Sequence, residues 1–180
     1  MEKEEGIIKK INAIYKRGYM PSRGQNKYTV DAAKLTNCFG HAVFNLQNED
    51  LESMINDKET LLAYQRKFGT VGISEIMKVV QRKVAEVGLK IEKSSVNEKL
   101  KNNQWKIAYY YMFSSPYHSA DAHFMIQEKD GTWTCKLGMK DEIEVFKKLP
   151  EDYHSGYSLQ GVYKITNPYI ELEKNEEEME

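Results

Sequence analysis

Cysteine is scarce in this chain: Cys38 and Cys135 are the two among 180 residues. Two thiols make no disulfide scaffold, and in a reducing compartment each is expected to be free. Proline is scarce too, at four residues, and no Gly/Ser-rich or Pro-rich linker divides the chain. The absence of any repeat with a period of about 20–50 residues excludes a solenoid or propeller. No apolar run nears the ~18 residues expected of a membrane-spanning helix. The start, Met1-Glu2-Lys3-Glu4-Glu5, lacks a basic stretch followed by an apolar core. No secretory signal is therefore expected, and the chain reads as cytoplasmic, with delivery into another cell still open. Neither sign of charge prevails, since 26 Lys+Arg against 27 Asp+Glu leave a formal net charge of -1. No global attraction to nucleic acid or to an acidic membrane follows. Glycine-rich phosphate or dinucleotide loops are missing as well, and no cofactor is expected.

What is present is an ordinary globular composition, 41% hydrophobic and 29% charged, in a chain long enough to bury a core without metals or staples. The first half has helical spacing. Ile7, Ile8, Ile11, Ile14 and Tyr15 predict a helix ending before Gly18, and residues 22–36 read as a loop. Cys38 to Leu46 predicts a second helix, and Leu51 to Leu62 a further helix or helix pair. Ile76, Val80, Val84 and Val87 predict a helix capped by Ser74 and stopped by Gly88. The second half changes period. Short strands are predicted at Leu89–Glu92, Trp105–Phe113, Ala122–Glu128, Thr132–Leu137 and Leu159–Thr166, with Asp130-Gly131 as a hairpin turn. Asp141–Leu149 is expected to form a short helix. Twelve tyrosines, including Tyr109-Tyr110-Tyr111, favour strands here. The pattern is α+β, with one domain over residues 1–170 and an acidic, disordered tail over 171–180.

Two segments carry candidate chemistry. In Asn37-Cys38-Phe39-Gly40-His41-Ala42-Val43 a cysteine opens a helix, where backbone N–H groups and the helix dipole stabilise a thiolate. The plainer reading of Cys38 is a small buried hydrophobe. In Asp121-Ala122-His123-Phe124-Met125-Ile126-Gln127, alternation puts Phe124 and Ile126 on one face and His123 and Met125 on the other. If the apolar pair faces the core, His123 points toward a cleft and can serve as a base; the plainer reading is a structural histidine. A zinc site assembled from Cys38, His41, Cys135 and His154 lacks a second close ligand pair, so no metal is expected. His41 is expected beside Cys38 on its helix or facing solvent, and His118 and His154 in loops.

A Cys opening a helix in the first third, followed by a His on a strand before a Gly-turn hairpin, resembles the papain-like cysteine peptidase superfamily. Its compact NlpC/P60-like branch is the most similar in layout. Asn37-Cys38-Phe39-Gly40 is similar to that branch's Asp/Asn-Cys-x-Gly start. His123-Phe124-Met125-Ile126 through Lys129-Asp130-Gly131-Thr132-Trp133 resembles its His-strand-turn-strand segment. The resemblance spans Asn37 to Gly138 and implies helices packed on an antiparallel sheet. It also implies a Cys38 nucleophile, a His123 base and a third residue orienting the His. The matching third position is Cys135, a poor hydrogen-bond acceptor, which makes Asp141 the substitute to test. Asn37 is the side chain available to an oxyanion. A two-residue hairpin turn would set Cys135 on the face opposite His123, and a three-residue loop with Gly131 left-handed would set it on the same face. The implied function is a cytoplasmic cysteine hydrolase, a peptidase or amidase, acting on a peptide or protein. The alternative is a catalytically inactive papain-fold protein that binds and blocks a partner protein through a Tyr-rich surface.

Overall fold

In the computed structural model, which describes residues 2–66 and 72–172, helices come first and antiparallel strands follow. Helix α1 (Glu2–Lys16) buries Ile7, Ile11, Ile14 and Tyr15 along one stripe, the spacing that one helical face requires. Gly18 then turns left-handed at φ +92 and ends it. The stretch expected to be a loop contains a single helical turn, α2 (Val30–Ala33), because the Thr29 hydroxyl caps it by accepting the Ala32 N–H at 3.2 Å. Of the helix or helix pair expected over Leu51–Leu62, the structure has two helices, α3 (Asn48–Glu52) and α4 (Lys58–Arg66). Helix α5 (Ile73–Glu86) buries Ile76, Val80 and Val84. Its N-cap is Gly72 rather than Ser74, which falls within the first turn.

The strands β1 (Lys90–Ser94), β2 (Gln104–Met112), β3 (Asp121–Gln127), β4 (Trp133–Lys136), β5 (Ile143–Phe146), β6 (Asp152–Tyr153) and β7 (Tyr157–Thr166) form one curled antiparallel sheet. Its order is β1-β7-β2-β3-β4-β5, with β6 paired to β7. Strand β5 replaces the helix expected over Asp141–Leu149. Ile143-Glu144-Val145-Phe146 has a period of two as well as apolar content, and pairing with β4 (Trp133↔Phe146 to Lys136↔Ile143) settles it as a strand. The hairpin between β3 and β4 uses a three-residue loop. The Glu128 N–H donates to the Thr132 carbonyl at 2.7 Å and Gly131 is left-handed at φ +89. Cys135 therefore shares the face of Met125 and His123.

Both faces of the sheet's central strands, β2, β3 and β4, are buried. Trp105, Ile107, Tyr109, Phe124 and Ile126 pack on the helices. Ala108, Tyr110, Met125, Trp133 and Cys135 form a second cluster under Tyr153. The tyrosine-rich strand is thus interior on both sides, and among the described residues Tyr117 and Tyr169 are the exposed tyrosines. Trp105 stacks on Tyr15 at 5.9 Å and donates to the Ala42 carbonyl, so it packs the core. Among the described residues no helix is long and apolar enough to cross a membrane. Residues 173–180 of the expected acidic tail lie outside the described residues.

Candidate active site

Cys38 opens a short helix whose last five residues, Gly40–Phe44, are wound as a π-helix. The wide turn closes where the Asn45 N–H donates to the Gly40 carbonyl at 2.7 Å. Asn45 can end it because Asn tolerates the left-handed backbone (φ 45). Gly40 has a separate reason: a Cβ there would collide with the Gln65 amide oxygen and the Thr36 hydroxyl. Any larger residue would have to push the Gln65 amide away from its bonds to Thr36 and Leu35.

His41 is on this helix, as expected, and is fully buried rather than solvent-facing. The Thr134 hydroxyl donates to Glu128 at 2.6 Å, so it accepts from His41 Nε2–H at 2.9 Å. That leaves His41 Nδ1 to accept from the Tyr28 hydroxyl at 2.6 Å. Burial holds this imidazole neutral, its pKa lowered to about 3. One residue pair further along β4, the buried Lys136 ammonium donates to the carbonyls of Ala33 (2.8 Å), Thr36 (2.9 Å) and Gly138 (2.6 Å). Burial lowers its pKa to about 8. His41 ties β4 to the helix that Cys38 opens, and Lys136 ties it to the segment that leads into Cys38.

Strand β3 instead follows β2, with which it pairs from Asp121 to Ile126. Its pairing with β4 is limited to Ile126↔Thr134 and Gln127↔Trp133. The two strands splay beyond that point and leave a cavity of about 510 Å³. Cys38 and His123 both line it, from separate elements. The backbone N–H groups of Phe124 and Phe39 are directed at the Cys38 sulfur, which places the thiol against the backbone of β3 at Phe124, the residue that follows His123. Comparison with protein-family models, curated proteins and solved structures found no match.

The thiol is not ionised at rest. The atoms packed around Cys38 desolvate it and push its pKa up to about 11, against the opposing pull of the two N–H groups. The helix start was expected to favour a thiolate, and burial overrides it. Burial, with the Glu144 carboxylate, also raises Cys135. His123 lies on the face that alternation predicts and is 7% exposed. Burial, aided by His154, lowers its pKa to about 3, and its Nε2 is buried with no hydrogen-bond partner. A neutral thiol and a neutral imidazole with a free nitrogen therefore share one cavity.

The other expected site residues are placed as follows. Asn37 lines the cavity, but its amide is committed: Oδ1 accepts the Gly40 N–H at 3.0 Å and Nδ2 donates to the Gln65 carbonyl at 3.1 Å. Cys135 is fully buried, its sulfur 3.8 Å from Glu144 Oε1. Asp141 lines a different hollow, beside Val30 and Lys34, and is not brought to His123. Sequence reasoning passed over Tyr153, Glu144 and the cavity face of His154. Tyr153 stacks on His123, its hydroxyl donates to Glu144, and His154 Nε2 lies 3.6 Å from the same carboxylate. The one available signal was Tyr153-His154-Ser155-Gly156, a turn-forming stretch rich in functional side chains. Among the described residues no group of three or more His, Cys, Asp or Glu is arranged to hold a metal.

Proposed function

We propose that this chain is a papain-like cysteine hydrolase, a peptidase or amidase acting inside the cell by acyl transfer through Cys38. The observation that carries the reading is the convergence on one cavity of Cys38 and of His123, whose Nε2 has no hydrogen-bond partner. With both groups neutral at rest, the proton moves during attack. The Cys38 sulfur bonds to the carbonyl carbon as His123 takes the thiol proton. The C–N bond then breaks, the amine leaves with that proton, and a thioester remains. Water, giving a proton to His123, attacks the thioester; the C–S bond breaks, the acid departs and the thiol is re-formed. The substrate class is a peptide or protein amide.

Cys38→Ser and His123→Ala should each lower amide hydrolysis by about a thousandfold or more, and the double variant should be no worse, because nucleophile and base act as a unit. Turnover of a fluorogenic peptide-amide panel by purified variants is the measurement. A folded Cys38→Ser protein with undiminished turnover would end the hydrolase reading. The neutral thiol and the committed Asn37 amide favour a second reading, a non-catalytic interaction protein of the same fold. Selective fast alkylation of Cys38 by iodoacetamide supports the enzyme, and equal slow labelling of both thiols supports the binder.

A further inference from the structure

We propose that Tyr153 is the positioning residue for His123, holding the imidazole by ring contact where neither Cys135 nor Asp141 supplies a hydrogen bond. The inference rests on the hydrolase reading above. The Tyr153 and His123 rings are face to face, with centroids 3.8 Å apart and planes 3° from parallel. Tyr110 and Tyr157 close the sides of the imidazole, at 6.4 Å and 5.9 Å with strongly inclined planes. Rotation of the His123 ring out of this slot would break the stack, so its plane is set while Nε2 stays free. Tyr153 is itself fixed. It is buried on the two-residue strand β6, its ring meets Phe146 at 6.2 Å, and its hydroxyl donates to Glu144 on β5. Glu144 therefore acts as the remote anchor and Tyr153 as the contact. The stack has a second consequence. When His123 takes the thiol proton, the imidazolium lies on the electron-rich face of the phenol, a cation–π contact that the neutral ring lacks. Tyr153 thereby stabilises the imidazolium in the very step that needs it, although burial disfavours that charge.

The test uses the full chain and iodoacetamide, with the rate of Cys38 alkylation followed across pH by intact mass. His123→Ala should label at least about tenfold more slowly than wild type near neutral pH, where the thiol depends on a base. Tyr153→Leu should be as slow as His123→Ala, and its rate should rise only toward the thiol's own pKa. Tyr153→Phe keeps the ring and loses the Glu144 bond; it should stay within about threefold of wild type, rescuing the loss seen in Tyr153→Leu. Tyr153→Leu labelling at the wild-type rate while His123→Ala is slow would overturn the positioning role and leave the hydrolase reading intact. Equal rates for wild type and His123→Ala would remove the base itself, and this inference with it. A readout independent of variant folding is the wild-type NMR spectrum. The ring current of Tyr153 should move the His123 ring protons upfield of those of the exposed His118, and coincident shifts would overturn the stack.

Discussion

Lowering the pH from 7 to 5 should cost the protein about 4 kcal/mol of stability, through two buried histidines. His41 and His123 are held neutral by burial, each lowered from an ordinary value of 6.5 to about 3. The unfolded chain takes up protons near 6.5 that the folded chain refuses until about 3. Stability is therefore full above 6.5 and falls as the pH drops through that window, by about 1.4 kcal/mol per pH unit for each ring. Glu128 works in the other direction. Burial raises its carboxyl, so the folded form protonates first and regains a little stability on acidification. Urea midpoints at a series of pH values are the measurement. His41→Gln, which retains a donor and an acceptor, should roughly halve the slope between pH 6.5 and 5. A midpoint that stays flat across that interval would contradict the burial of both neutral rings.

Replacing Lys136 with methionine should destabilise the protein by about 3 kcal/mol, since it strands buried carbonyls that the ammonium satisfies. The side chain is fully buried, and its three bonds end on Ala33, Thr36 and Gly138. Two of those carbonyls belong to the segment that runs directly into Asn37 and Cys38, so the loss also frees one wall of the cavity. Methionine fills most of the lysine volume, which separates the polar effect from a packing defect. The exposed neighbour Lys140, changed to methionine, should stay within about 0.5 kcal/mol. Thermal and urea unfolding of the two variants decide the matter, and equal midpoints would show that the Lys136 bonds add nothing.

The two buried lysine and histidine anchors also mark where the sequence stops being legible. Hydrophobic periodicity exposes α1, α5, β2 and β3, because each buries one regular stripe or alternates across the sheet. It also places His123 on the face away from Phe124. The sequence leaves the three-residue hairpin loop as one of two open registers, and the Glu128–Thr132 bond, the left-handed Gly131 and the Ile126↔Thr134 pairing distinguish them. Lys136 carries no such signal. In Trp133-Thr134-Cys135-Lys136 a charged residue ending a strand reads as solvent-facing, and its burial follows from three carbonyls supplied by residues about a hundred positions earlier and by the adjoining turn. For His41 the sequence leaves open a place beside Cys38 on its helix or one facing solvent, and its burial shows only where Tyr28 and Thr134 close on both its nitrogens. The misassigned helix at Asp141–Leu149 has the same origin. Ile143 to Phe146 is apolar enough for either state, and the open edge of β4 decides it. At the site, the Cys38 and His123 candidates were visible from motif and alternation, but the ring that grips His123 was not. Tyr153 reaches it from the β6–β7 pair, far along the chain, as a member of the second cluster with Tyr110 and Met125.

The most direct test of the hydrolase reading is acylation of Cys38 by a simple activated ester, p-nitrophenyl acetate. The wild-type protein should release a burst of p-nitrophenol stoichiometric with enzyme and carry a hydroxylamine-labile acetyl group, mapped by mass spectrometry to Cys38. His123→Ala should show neither on the same timescale. Acetylation of Cys38 at the same rate in both proteins, or none at Cys38 in folded wild-type protein, would contradict a nucleophile driven by His123.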